Sequence, residues 1–335
     1  LAVALRGRPA AMAAEADSGA APPPGSDAVG LGLGLPDRVL LVTGPTAAGK
    51  TEIAIALAEE LDAEIVSADS RQVYRYMDVG TAKPDAQQLS RVKHHLVDVV
   101  DPDQAYDLAA WRRAAIAALA DIASRGRRAI VCGGTGLYLS RLLGGLDDAP
   151  AADDRLRTRL QAEEGASPGV LHERLRAEDP VAAERIHAND TLRLVRALER
   201  LAAAGDQQQP GGGPALPSRS LVLVVDRPRE QLYALIDSRA RAMVFGGLLD
   251  EILALRERGY TPDCRAFDSL GYRQAWACLE GKLEAGELEE QLARATRQYA
   301  KRQLTWLRNQ LPGQWIDAER GDEFSDLARC FFEAG

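Results

Sequence analysis

The segment Gly44-Pro45-Thr46-Ala47-Ala48-Gly49-Lys50-Thr51 constrains this chain more than any other, because it fits G-x-x-x-x-G-K-[ST] at every fixed position. Such a loop folds tightly round an anion, with successive backbone N–H groups pointing inward. The lysine, here Lys50, reaches the outer phosphate, and the final hydroxyl, here Thr51, holds Mg²⁺. The flanks have the required form. Val39-Leu40-Leu41-Val42 is an apolar run of buried-strand type, and Ile53, Leu57 and Leu61 recur at helical spacing beyond the loop. Strand, glycine loop and helix in that order set a helix N-terminus against phosphate.

A chain of 335 residues, 46% of them hydrophobic, has room for one large α/β domain and a smaller one. Its net charge of −8 announces no nucleic acid partner globally, so any basic surface has to be local. Cys132, Cys264, Cys278 and Cys330 stand apart without a C-x-x-C pair, which argues against a disulfide scaffold and a zinc site and fits a reducing cytoplasm. No apolar run approaches the ~20 residues of a membrane span. Residues 1–36, rich in Ala, Gly and Pro without the order of a signal peptide, are expected to be a disordered leader, with Met12 an alternative start.

Beyond the first helix, Ala63 to Ala68 reads as a second strand that delivers Asp69-Ser70-Arg71-Gln72 at its carboxyl end, the edge where doubly wound sheets bind ligands. Asp69 is therefore a candidate general base or metal-site carboxylate, with a loop or helix-capping aspartate as the plain alternative. The loop Met77 to Pro84 has residues suited to meeting an anion, and His94 to Val100 reads as a short strand whose histidines lack metal-ligand spacing. A helix over 108–125 and a buried strand, Arg128 to Cys132, lead into Gly133-Gly134-Thr135-Gly136. There Thr135 is a candidate substrate contact, and the alternative is a purely structural glycine turn.

Residues 151–216 change character, with Asp153-Asp154 capping an Arg-rich segment and Pro168-Gly169 and Asp179-Pro180 breaking it, and are expected to form an inserted helical subdomain. Within it Arg193 and Arg196 lie three apart on one helix, and Gly205 to Pro217 reads as a flexible linker. Leu221 to Val225 returns to the sheet. The core, 37–150 and 217–335, is thus discontinuous, and the remainder is mostly helical. Arg294, Arg297, Lys301 and Arg308 share one face of a late helix, either a phosphate-contacting stripe or a solvated surface. The fold class expected is α/β, a P-loop NTPase-like parallel sheet core with an inserted helical subdomain.

Six segments taken together resemble one family. They are Gly44 to Thr51, Ser67 to Arg75, Met77 to Pro84, Gly133 to Tyr138, Gly271-Tyr272-Arg273-Gln274, and Lys301-Arg302-Gln303-Leu304-Thr305-Trp306-Leu307-Arg308; in this order they resemble the tRNA dimethylallyltransferases, or tRNA isopentenyltransferases, of bacteria. The resemblance spans about residues 38–320. It implies transfer of a dimethylallyl group from dimethylallyl diphosphate to N6 of the adenosine just 3′ of the anticodon, position 37, with Mg²⁺ as cofactor and the tRNA anticodon stem-loop as partner. It assigns the base to Asp69, leaving-group stabilisation to the Gly44–Thr51 amides, Lys50 and Arg273, and contact with the substrate base to Thr135. It carries tRNA contact onto Asp69, Ser70, Arg71, Gln72, Arg157, Leu192, Arg193, Leu194, Val195 and Arg196; Arg297 and Lys301 of the basic stripe join them on their spacing. One departure stands out: Leu235 precedes Ile236 where many members carry arginine, leaving Arg239 or Arg241 to compensate. No obligate protein partner is indicated, and a monomer is expected.

Two rival classes use some of the same residues. A P-loop small-molecule kinase would bind ATP and use Asp69 to deprotonate an alcohol. An RNA-binding ATPase switch would use the basic helix but leave Asp69 and Thr135 without a shared purpose.

Overall fold

The structure, a computed structural model, describes residues 34–145, 153–203, 215–216 and 218–334; the leader up to residue 33 and most of the expected linker lie outside them. Six strands form one parallel sheet: β1 (Arg38–Thr43), β2 (Ala63–Ser67), β3 (His94–His95), β4 (Arg128–Cys132), β5 (Arg219–Asp226) and β6 (Gln314–Asp317), in the order β3-β2-β4-β1-β5-β6. The helices of the first half are α1 (Lys50–Glu60), α2 (Ala86–Arg91), α3 (Leu108–Ser124) and α4 (Gly136–Gly144). Then come α5 (Asp154–Ala166), α6 (Val170–Glu178), α7 (Pro180–Arg185) and α8 (Thr191–Ala203). After β5 follow α9 (Arg229–Phe245), α10 (Leu248–Glu257), α11 (Tyr272–Leu279), α12 (Leu288–Gln310) and α13 (Gly321–Glu333).

Parallel strands buried on both faces read as unbroken apolar runs, and alternation of side chains sends successive residues into two different cores. Leu40 and Val42 of β1 pack with Ile55 and Leu57 of α1, Ile236 of α9 and Phe324 of α13. Val39 and Leu41 pack on the opposite face with Trp111 and Leu119 of α3 and Leu307 of α12. Because β4 lies between β1 and β2, the crossovers from β1 and β4 diverge at the carboxyl edge, which is where a doubly wound sheet opens a crevice. A third cluster joins Tyr74 and Met77 to α10 and α11, and the helices α5 to α8 bury Leu160, Leu171, Leu175, Leu194 and Leu198 in a core of their own.

Several expected boundaries move. The strand expected over 94–100 pairs only at His94 and His95, because Leu96 and Asp98 adopt left-handed φ of 62° and 56° and turn the chain away before Val100 bridges Tyr74. The two histidines have structural partners: His94 Nδ1 meets the Val92 carbonyl at 2.8 Å and His95 Nε2 the buried Glu64 at 2.7 Å. Leu35 already packs against the second core and Ser218 Oγ donates to the Pro36 carbonyl, so a leader drawn to residue 36 runs too far. Leu216, at the far end of the expected linker, is likewise buried in that core. The strand β6, only four residues long, is too short for its alternation to show in the sequence.

Candidate active site

Three strand ends build the site. After β1 the loop 44–49 closes onto α1 through Gly49, whose φ of 97° is a glycine conformation. After β2 the chain turns at Asp69, whose Oδ1 accepts the N–H of Arg71 at 2.8 Å and of Gln72 at 3.4 Å. One carboxylate oxygen thus does the turn-forming work expected of a loop aspartate, while Oδ2 accepts no hydrogen bond from the described residues and is available for chemistry. After β4 comes the 133–136 loop. A Cβ on Gly133 would collide with the Ala68 carbonyl, so the glycine permits the close approach of the strand ends. Thr135 Oγ1 then accepts the Ser70 N–H at 3.1 Å. For Asp69 the two readings are not exclusive, since one oxygen shapes the turn and the other is left over; at 133–136 the glycines shape the loop and Thr135 Oγ1 serves the Ser70 turn.

Two adjoining cavities open here. The smaller, about 90 Å³, is lined by Lys50, Thr51, Ser67, Asp69, Gln72 and Cys132, among others. The larger, about 460 Å³, runs outward past Ser70, Arg71, Thr81, Met243, Arg273 and Thr296. Thr46, Asp69, Thr81, Arg239 and Tyr299 line both. Asp69 therefore stands at the junction of a phosphate-sized recess and a wider channel. Thr135 lines neither cavity; its hydroxyl lies behind Ser70 and steadies the turn that carries Asp69. Arg273 stands at the outer mouth, its side chain 69% exposed and held by Asp268, so it reaches the recess only by moving inward.

The recess is electrostatically tuned. Lys50 Nζ donates to the Pro45 carbonyl at 2.7 Å, folded onto its own loop. Burial lowers its pKa to about 8, with the Arg239 guanidinium pushing the same way and the Asp69 carboxylate opposing. Burial pushes the Cys132 thiol up to about 11 and the Tyr299 phenol up to about 12, Asp69 adding to both. Neither is an ionised nucleophile near neutrality. Leu235 is exposed, the half-buried Arg239 stands on the wall of both cavities, and Arg241 lies over the Phe245 ring.

Other expected contacts are already committed within the protein. The ammonium of Lys83 is not offered to an anion: it is buried between Asp78, Asp98 and the Tyr74 carbonyl. Glu251 of α10 accepts the N–H groups of Asp78, Val79 and Gly80, bracing that loop from below. Leu194 and Val195 are core residues of the helical subdomain, which corrects their expected place as tRNA contacts; Leu192 (77% exposed) and Arg193 remain outward. Arg157 and Arg196 both pair with the buried Glu199, joining α5 to α8. Arg297 is likewise not a free surface cation, since it pairs with Asp237 and Glu290 and ties α12 to α9. Lys301 has no ion-pair partner among the described residues, and Arg308 lies over the Trp315 ring.

Sequence reasoning missed Arg227, whose Nε donates to the Ala48 carbonyl of the phosphate loop at 2.9 Å, and Tyr299 and Gln303 on the inner face of α12. Gln303 alone carried a signal, as a polar break in the buried stripe Leu292, Ala300, Leu307. Among the described residues no three His, Cys, Asp or Glu side chains cluster as a metal site, and no helix is long and apolar enough to cross a membrane.

Known proteins share this architecture. The family described as IPP transferase matches residues 72–310, and the one described as isopentenyl transferase matches residues 37–106. A tRNA dimethylallyltransferase from Geobacter sulfurreducens is 42% identical over 302 residues, 88% of this chain and 97% of that protein. One from Halorhodospira halophila is 46% identical over 288 residues, 84% of this chain and 93% of that protein. The solved tRNA isopentenylpyrophosphate transferase of Bacillus halodurans superposes with a TM-score of 0.66 at 34% identity, covering 89% of this chain and 98% of the other. A eukaryotic dimethylallyltransferase solved acting on tRNA superposes at 0.69 with 25% identity, covering 88% and 78%. With the matched segment enclosing Asp69's turn from Gln72 onward, the 133–136 loop and all of α12, this chain belongs to the IPP transferase family.

Proposed function

We propose that the protein transfers a dimethylallyl group from dimethylallyl diphosphate to N6 of the adenosine 3′-adjacent to the anticodon, position 37 of tRNA. The observation that carries this reading is the position of Asp69 between the phosphate-loop recess and the wider channel. An adenine amine is a poor nucleophile because its lone pair is delocalised into the ring, so a base that takes its proton as the bond forms lowers the barrier. The new N6–C1 bond forms while the C1–O bond to diphosphate breaks; the amine proton goes to Asp69 Oδ2 and the electron pair leaves with diphosphate. Charge developing on the leaving group is met by the loop amides and by Lys50, once its ammonium turns from the Pro45 carbonyl. The adenosine enters the channel flipped from the anticodon stack. Transfer needs no ATP. Purified protein should label tRNA from dimethylallyl diphosphate alone; labelling only with ATP hydrolysis would return the kinase or ATPase readings.

Thr51 lines the recess and offers the hydroxyl oxygen that Mg²⁺ takes alongside substrate phosphates and water, so this residue fits that ion. Bound there, Mg²⁺ would neutralise charge on the leaving diphosphate.

Two expected results follow from the site's charges. Lys50 holds its proton only below about 8, so kcat/KM for dimethylallyl diphosphate should fall as pH rises through that value, the free enzyme's group being the one reported. The stability linkage has the opposite sign. Because the folded value lies below the ordinary 10.5, the unfolded chain binds more protons between them, and this group's contribution to stability improves as pH rises across that window. A pH profile flat to 10.5 would contradict the assignment of Lys50 to the diphosphate. The second concerns RNA. Lys301→Gln should weaken all substrate tRNAs alike and flatten the salt dependence of binding by about 0.7 in log–log slope. Arg297→Gln, which breaks an intramolecular brace, should leave that slope unchanged; affinity measured across a salt series separates the two.

A further inference from the structure

Gln303 is one of the polar residues by which α12 reaches into the site, and it touches both glycine loops. Its Oε1 accepts the Thr46 N–H at 2.8 Å, its Nε2 donates to the Gly134 carbonyl at 2.8 Å, and the residue is 8% exposed. The partners fix the amide's orientation, because an N–H only donates and a carbonyl only accepts. Gly134 makes the approach possible: a Cβ there would stand 2.6 Å from Gln303 Nε2 and 3.6 Å from Lys50 Nζ. Three residues on, the Trp306 ring occupies the space that a Cβ on Gly136 would need, so α12 presses on the 133–136 loop at two points.

We propose that Gln303 is a positioning residue for prenyl transfer. It locks the loop that holds the leaving diphosphate to the loop whose Thr135 steadies the Asp69 turn, so that the breaking bond and the proton acceptor stay in register. This inference rests on the function proposed above. The β1–β4 ladder joins the two loops as far as Gly133, whose carbonyl accepts Thr43 Oγ1 at 2.9 Å and whose N–H meets the Val42 carbonyl at 3.1 Å. Beyond that rung no direct hydrogen bond joins residues 44–49 to 134–136 among the described residues, and Gln303 supplies the link. A misplacement of about 1 Å at a reacting centre costs about 10²-fold in rate, so a single buried amide at this joint carries a large effect by holding the two loops in register.

The side chain needed is one that accepts on one side and donates on the other, and that requirement provides the test. In Gln303→Glu an ionised carboxylate accepts from Thr46 but has no proton for Gly134, whereas the protonated acid has the shape and both hydrogen bonds of glutamine. Burial raises such a carboxyl's pKa toward neutrality. At pH 8 the variant is expected to lose about 10²-fold in kcat with both substrates saturating and KM for tRNA unchanged, and the loss relative to the parent should shrink as pH falls toward 5.5. Gln303→Leu should lose as much and show no such recovery. Parent-like kcat in either variant, or a loss in Gln303→Glu that is the same at every pH, overturns the proposal. A second cycle stands whether or not the acid variant folds. Gly134→Ala should impair the parent by pushing the amide aside, yet add little in a Gln303→Ala background where the space is open; independent, multiplicative losses overturn the coupling. An inactive parent in the same assays would defeat the proposed function, while an active parent with indifferent variants defeats only this inference.

Discussion

Asp69→Asn is expected to lower single-turnover prenyl transfer by about 10²–10⁴ while leaving both substrates bound. The substitution is informative because the structure separates the two jobs of this carboxylate. Its Oδ1 accepts the Arg71 and Gln72 N–H groups and shapes the turn, and an asparagine carbonyl does the same. Its other oxygen, which accepts no hydrogen bond among the described residues, is the proposed proton acceptor, and an amide there cannot take a proton. The turn, the Thr135–Ser70 contact and the cavity wall should therefore persist while the chemistry slows. Removing the charge also takes away a group that supports protonation of Lys50, so the alkaline fall in kcat/KM should move to lower pH. Rapid-quench rates with saturating tRNA and dimethylallyl diphosphate measure the loss; a rate equal to the parent's would remove Asp69 from the role of base.

Lys50→Met should reduce kcat by about 10²–10³, the typical cost of losing one preorganised charge-stabilising donor. Methionine keeps the apolar stem in the recess and removes only the ammonium. Because charge on the diphosphate grows as the C–O bond breaks, the lost interaction is worth more in the transition state than in the ground state, and kcat should fall further than KM rises. The variant should also lose the alkaline limb that Lys50 imposes near pH 8. A variant with unchanged kcat and a raised KM would mean that Lys50 only binds substrate. Arg239, half-buried and lining both cavities, would then be the principal cation facing the leaving group.

What the sequence discloses and what it hides divide along a physical line. The phosphate loop, Asp69 at the end of β2 and the glycine turn after β4 are legible because each is a local pattern, apolar strand followed by special backbone, and the sheet's parallel order then brings the three ends together. Ranking the cations is a different problem, since spacing along a helix says which residues share a face but not what the face meets. Arg297 and Lys301 are four residues apart on α12, yet one braces α9 through Asp237 while the other is free of ion pairs among the described residues. Lys83 and Arg157 were hidden for the same reason: their carboxylate partners, Asp98 and Glu199, lie well away from them in sequence. Leu194 and Val195 show the complementary limit, because a motif marks a segment whereas the fold decides which of its side chains point inward. The resemblance to the family pointed to a set of positions, and the packing separates those that line the cavities, such as Asp69 and Lys50, from those that stand behind, such as Thr135.

The central claim is that the phosphate loop serves a prenyl diphosphate and Asp69 an adenine amine. Its most direct test is mass analysis of nucleosides from tRNA incubated with the purified protein, dimethylallyl diphosphate and Mg²⁺, without ATP. The account predicts one adenosine per substrate tRNA heavier by a single C₅H₈ unit, located 3′ to the anticodon, with diphosphate released in equal amount. Unmodified tRNA under these conditions, or a gain of phosphate in place of the five-carbon unit, would contradict it.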